Sequence, residues 1–206
     1  MHILLAIAVG IIYSSAAFAL MQLVEWIEKN RVGSIEPKVI SPFTFVPILL
    51  APVIIGMFFM LHAAPIRILV VTGVACASLI ALTYSDIRWN RTSVWISLPA
   101  LALVIGYESF AHNGTPIVSA GIASLPFLLS FATTKGRGAS LNDVVAIALG
   151  ASVLGIVPAV MALATSSLLV VAVSAFKNKK KRKSKIAFIP SLTACVLVAL
   201  IATPGS

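Results

Sequence analysis

Residues 67–88 read RILVVTGVACASLIALTYSDIR, and this stretch decides the fold. From Arg67 an apolar run continues to Tyr84 without another charged residue. That is close to the roughly 20 apolar residues a membrane-spanning helix needs. The run closes on Thr83-Tyr84-Ser85-Asp86-Ile87-Arg88, where a carboxylate and a guanidinium return. The rest of the chain repeats the pattern. Of 206 residues 60% are hydrophobic and only 10% charged, with a mean hydropathy of +1.08. A soluble domain carries about 25% charged residues, and a disordered chain combines low hydrophobicity with high charge. Both classes are excluded.

Apolar runs between breaks predict eight spans, near 3–24, 43–62, 67–84, 93–111, 116–133, 143–157, 159–176 and 186–203. The expected fold class is therefore all-α, a polytopic helical membrane protein with one transmembrane domain over 1–206. Ala17-Phe18-Ala19 resembles a signal-peptidase site. No Lys or Arg precedes it, however, and apolar residues continue to Val24, so the first span is read as a retained helix. Pro47 and Pro52 predict a kink in the second span. Gly155 to Pro158 is the only punctuation between the sixth and seventh.

Lys and Arg total 15 against 6 Asp and Glu, a formal net charge of +9. An even number of spans puts both termini on one side, and the loops then alternate. Lys29, Arg31, Lys38, Arg88, Arg91, Lys135, Arg137 and the seven basic residues of 177–185 collect on the other side, leaving Arg67 alone opposite. Basic residues concentrate in cytoplasmic loops, so the termini are expected outside. The segments 25–42 and 177–185 become a short cytoplasmic loop and a basic cytoplasmic loop. The basic loop reads as an anchor for anionic lipid headgroups; nucleic acid is not expected as a partner. Cys76 and Cys195 lie inside apolar runs and read as small hydrophobes. His2, His62 and His112 are scattered, and no metal site is expected.

Charged groups in or beside a bilayer are costly, so each carboxylate needs an account. Glu25, Glu28 and Glu36 share the first loop with Lys29, Arg31 and Lys38 and read as an internally paired surface segment. Glu108 falls at the outer end of the fourth span, where water would solvate it. Asp86 and Asp143 remain, the only two aspartates in the chain. Asp86 ends the third span and Asp143 opens the sixth, so both are predicted at the cytoplasmic boundary and could meet if those helices pack. Two carboxylates around a water can divide the work of an aspartic protease, one taking a proton and the other donating one. Helix dipoles would favour Asp143, at an N-terminus, as the ionised base and Asp86, at a C-terminus, as the proton carrier. Other readings compete. Ser140 and Asp143 have capping-box spacing, and Asp86 has Arg88 and Arg91 nearby. The two aspartates would also suit a small cation or proton transporter.

The sequence resembles the type IV prepilin peptidases, membrane aspartic proteases of the GxGD type. Asp86-Ile87-Arg88 is similar to the family's first-aspartate motif. Gly136-Arg137-Gly138-Ala139-Ser140-Leu141-Asn142-Asp143-Val144, with Ala148-Leu149-Gly150-Ala151 and Leu154-Gly155 after it, is similar to the glycine-rich GxGD segment. Ala187-Phe188-Ile189-Pro190-Ser191-Leu192 resembles the proline-containing start of the last helix. Ser140 and Asn142 stand where GxGD has glycines, Val145 where a Lys is frequent, and Thr92-Ser93-Val94 where Ile-Pro-Asn follows the first aspartate.

The resemblance implies a multi-pass protein of the inner (cytoplasmic) membrane with catalytic Asp86 and Asp143. It would cut the leader of a prepilin or pseudopilin substrate after a glycine, in service of a pilus or secretion system. Gly136 and Gly138 would supply substrate-binding flexibility, and Ala146, Gly150, Ala151 and Gly155 close helix approach. Larger members carry a zinc-binding domain after the first span. Residues 25–42 have no cysteine, so a peptidase-only form without cofactor or methyl transfer is expected. A catalytically inactive pilin-binding relative is the remaining alternative.

Overall fold

The computed structural model describes residues 2–31, 37–89, 94–111, 115–134, 139–177 and 188–203. These form eight α-helices: α1 (His2–Arg31), α2 (Pro42–Leu61), α3 (Ile66–Trp89), α4 (Val94–Ala111), α5 (Thr115–Thr134), α6 (Leu141–Leu154), α7 (Ile156–Lys177) and α8 (Ile189–Ala202). Five are long and apolar enough to cross a membrane: α1, α2, α3, α5 and α7. Large apolar side chains such as Leu4, Ile11, Leu129, Val157 and Leu168 stand exposed along the outer helices. A surface of that kind is stable only against lipid or another apolar surface, and the chain is a membrane-embedded helical protein.

The expected breaks recur, with three shifts. Residues 25–31 are not loop; α1 continues through Glu25 and Glu28 to Arg31. The sixth span ends at Leu154, because Gly155 has φ 77°, a left-handed backbone that non-glycine residues avoid. The last span starts at Ile189, three residues late. At 14 residues each, α6 and α8 rise about 21 Å, less than the hydrocarbon thickness of about 30 Å. Most of residues 177–185, the basic loop, lies outside the described residues.

The centre belongs to α3 and α6. Nearly every residue of α3 from Val71 to Ser85 is buried, as is nearly all of α6 from Val144 to Leu154. α3 packs against α1, α2, α4, α6 and α8, and α6 against α3, α4, α5, α7 and α8. This explains the composition of both helices. Ala75, Ala77, Ala81, Ala146 and Ala151 are at most 2% exposed, and such small residues let backbones approach without voids. Gly150 serves the same end, since a Cβ there would meet Cγ2 of Val196 on α8 at 3.0 Å.

α3 also sets the depth of its charges. Between Arg67 and Asp86 stand the eighteen uncharged residues 68–85, a rise of about 27 Å. The uncharged segment is therefore long enough to match the hydrocarbon layer, with Asp86 and Arg88 on the turn that follows it.

Candidate active site

Asp86 is placed by the C-terminal turn of α3, Asp143 by the N-terminal turn of α6. The α6 turn is built by local chemistry. Ser140 is the N-cap, with φ −92° and ψ 157°. Its Oγ accepts from the Asp143 N–H at 3.2 Å, while its own N–H and hydroxyl donate to Asp143 Oδ2, each at 2.8 Å. The capping box is therefore real. It fixes the Asp143 side chain through one oxygen, Oδ2, and so orients the carboxylate as well as starting the helix.

Asp86 is held by contacts between helices. The backbone N–H of Ile189, in the first turn of α8, donates to its carboxylate. That N–H is one of the four a helix start leaves without an intrahelical partner, and the α8 N-cap, Phe188, offers no side-chain bond. One turn earlier, Thr83 Oγ1 donates to Thr193 Oγ1 at 2.8 Å, and Thr193 Oγ1 donates to the Leu79 carbonyl at 3.4 Å. These bonds fasten α3 to α8 directly below the aspartate.

The two carboxylates are near enough to act on each other electrostatically. Asp143 is the charged group that raises the pKa of Asp86, second only to burial, and together they push it up to about 6. The Ile189 N–H and the Lys38 ammonium pull the other way. Burial penalises the charged form and a like charge penalises it again, so Asp86 is suited to carry a proton beside Asp143. Among the described residues no three His, Cys, Asp or Glu side chains gather as a metal would require. The arrangement is a two-carboxylate site at one end of the bundle, where α3 ends and α6 and α8 begin.

Arg88 is not the partner of Asp86. Its Nε lies 2.7 Å from Glu25 Oε1 on α1. Tyr84 donates its hydroxyl to the same oxygen at 2.5 Å, and Lys29 reaches Glu25 Oε2 at 3.8 Å. The Arg88 guanidinium also lies over the Tyr84 ring, 5.8 Å from its centre. The backbone carbonyl of Arg88 accepts from the Lys38 N–H at 2.9 Å, which brings the segment after α1 back over the end of α3. Glu25 is thus tied to α3, not only paired within a surface segment, and Glu28 is buried. Sequence reasoning missed this cluster. Its signal was the i,i+4 spacing of Glu25 and Lys29, which extends a helix rather than ending one. Arg91, Gly136 and Gly138 lie outside the described residues.

Two other regions bear on the site by contrast. Glu108 does not stand on the open surface: it is 8% exposed and lines a cavity of about 260 Å³ with Arg67, Thr72, Ser119 and Ser152, far from the aspartates along α3. A larger apolar groove of about 850 Å³ runs between α1 and α4 over Gly73 and Ala77 of α3. At 100° per residue, Asp86 points about 180° away from Ala77, so that groove opens on another face of the helix.

The chain matches no protein-family model, and no curated protein or solved structure is significantly similar to it.

Proposed function

We propose that this chain is a membrane aspartic endopeptidase that removes the leader peptide of type IV prepilin-like substrates at the cytoplasmic face of the inner membrane. What supports the reading is the electrostatic coupling of Asp86 to Asp143 at one end of the bundle, with neither carboxylate paired to an arginine among the described residues. The motif resemblance around the same two residues supplies the substrate class.

The reaction follows from the pair. Ionised Asp143 takes a proton from a water, whose oxygen attacks the scissile carbonyl while Asp86 donates its proton to the carbonyl oxygen. Asp143 then delivers a proton to the departing amine, the C–N bond breaks, and the gem-diol returns its hydroxyl proton to Asp86. No cofactor enters the cycle, and methyl transfer has no part in it. A carbonyl inside a helix is already hydrogen-bonded, so the substrate must present its cleavage site extended. A site at the end of the bundle meets such a peptide where an inserted helix leaves the bilayer. Transport by the same aspartates would call for a site near mid-depth, whereas these stand beyond the uncharged segment of α3.

The test is purified protein in liposomes with a prepilin-type peptide, a basic leader ending in glycine before an apolar helix. The expected result is two products with masses corresponding to a cut after that glycine. Proton or cation flux that depends on the aspartates, with the peptide intact, would overturn the reading in favour of a transporter. An intact peptide with no flux would favour an inactive pilin-binding protein.

A further inference from the structure

Arg88 stands two residues from Asp86, yet it bears on Glu25 rather than on the aspartate pair. Residues at i and i+2 project about 200° apart on a helix, so the native geometry separates them. That separation is weak at this position. Both side chains sit on the last turn of α3, and arginine has a long flexible stem with a guanidinium suited to bidentate pairing with a carboxylate. A free Arg88 would have a half-buried carboxylate within reach.

What prevents this is a cluster on the far side of α3. Glu25 Oε1 pairs electrostatically with the Arg88 Nε and accepts from the Tyr84 hydroxyl, the guanidinium lies over the Tyr84 ring, and the Lys38 N–H holds the Arg88 carbonyl. Glu25 itself is partly buried, its side chain 16% exposed, so solvent screens the pair less than at an open surface. We propose that Glu25 is a positioning residue: it holds the Arg88 guanidinium on the α1 side of α3 and thereby keeps the Asp86–Asp143 pair free of an arginine partner. The groups that face Asp86 directly are Asp143 from α6, the Ile189 N–H from α8 and Lys38 from the segment before α2. Arg88 would become a fourth only when released. The claim that catalysis benefits rests on the peptidase reading; the claim about which groups face Asp86 does not.

The test uses full-length protein in lipid with two readouts. The first is modification of Asp86 by dicyclohexylcarbodiimide, which reacts with protonated carboxyls, followed against pH by peptide mass spectrometry. The second is cleavage of the prepilin-type peptide. In Glu25→Gln the labelling midpoint of Asp86 moves to lower pH by about one unit or more, as expected for a carboxylate gaining an arginine neighbour, and cleavage slows about tenfold or more. Glu25→Gln/Arg88→Gln restores both. A merely structural role for Glu25 predicts no rescue, because the double variant restores none of the negative charge that Lys29 and the end of α1 have lost. Arg88→Gln alone leaves the midpoint where it is in the native chain.

An unmoved midpoint in Glu25→Gln, or one not restored by removing Arg88, overturns the proposal. Should Glu25→Gln not fold, a rise of the midpoint in Arg88→Gln alone would overturn it too, by showing that Arg88 already acts on Asp86. A midpoint that shifts and recovers while native protein cleaves nothing keeps the positioning role and removes the peptidase reading.

Discussion

Asp86 illustrates how one side chain collects opposing influences. Burial and Asp143 raise its pKa to about 6, while Lys38 and the Ile189 N–H restrain the rise. If the proton on Asp86 is needed for the reaction, cleavage falls as pH climbs through about 6 and that proton leaves. Removing a cation that favours the ionised form raises a pKa, so Lys38→Met moves this alkaline limb to higher pH. A pH–rate profile checks the direction. The same shift has a stability signature. Because the folded pKa exceeds the reference 3.8, native protein keeps a proton between pH 4 and 6 that the unfolded chain has lost. Stability contributed by that proton is full below this window and is lost as pH rises through it. Thermal unfolding in detergent measured across the window shows the slope in the native chain and a flatter one in Asp86→Asn. Ser140 makes a neighbouring case. Ser140→Ala removes the cap of α6, a loss of about 1 kcal/mol, and also loosens Asp143, so cleavage drops along with the melting temperature.

Between helices, the site depends on three ends being brought together and held by close contacts. Gly150 is a sensitive point, because α6 meets Val196 of α8 there with no room for a side chain. Gly150→Val forces the helices apart at a cost of about 1–3 kcal/mol. It is expected to lower both the unfolding temperature and the cleavage rate, since α8 carries the N–H that Asp86 accepts. Much at this scale was legible in the sequence. The helices announce themselves because uncharged apolar runs of helical length have few alternatives, and the Ser140–Asp143 spacing named its own cap. What was not legible depended on partners far along the chain. Glu25 and Lys29 looked like the start of a loop because charge usually ends a span. They are the last turns of α1, stabilised by Arg88 and Tyr84 some sixty residues on. Glu108 looked solvated for the same reason, its position at a span end. Nothing local indicates that its carboxylate is enclosed in a cavity shared with Arg67.

Across the whole molecule, burial is graded from α3 and α6 outward to α1, α2, α5 and α7, whose outer faces carry the exposed apolar side chains. The two most enclosed helices are the two that carry an aspartate on a terminal turn, α3 on its last and α6 on its first. That coincidence has a physical logic. A rigid, well-packed helix holds a catalytic group more exactly in place than a lipid-facing one, and its terminus still reaches water. The bundle brings two electrostatically coupled acids to one end from opposite chain directions, α3 by its C-terminus and α6 by its N-terminus. If they work as one unit, removing the second after the first should cost little more, since residues that act together are strongly non-additive. The decisive measurement is therefore the rate of prepilin-peptide cleavage by Asp86→Asn, Asp143→Asn and the double variant, each shown to be folded. Each single change is expected to lower the rate by about a thousandfold or more, with the double no slower than the worse single. A single variant that cleaves at the native rate, or losses that multiply in the double, would contradict the account.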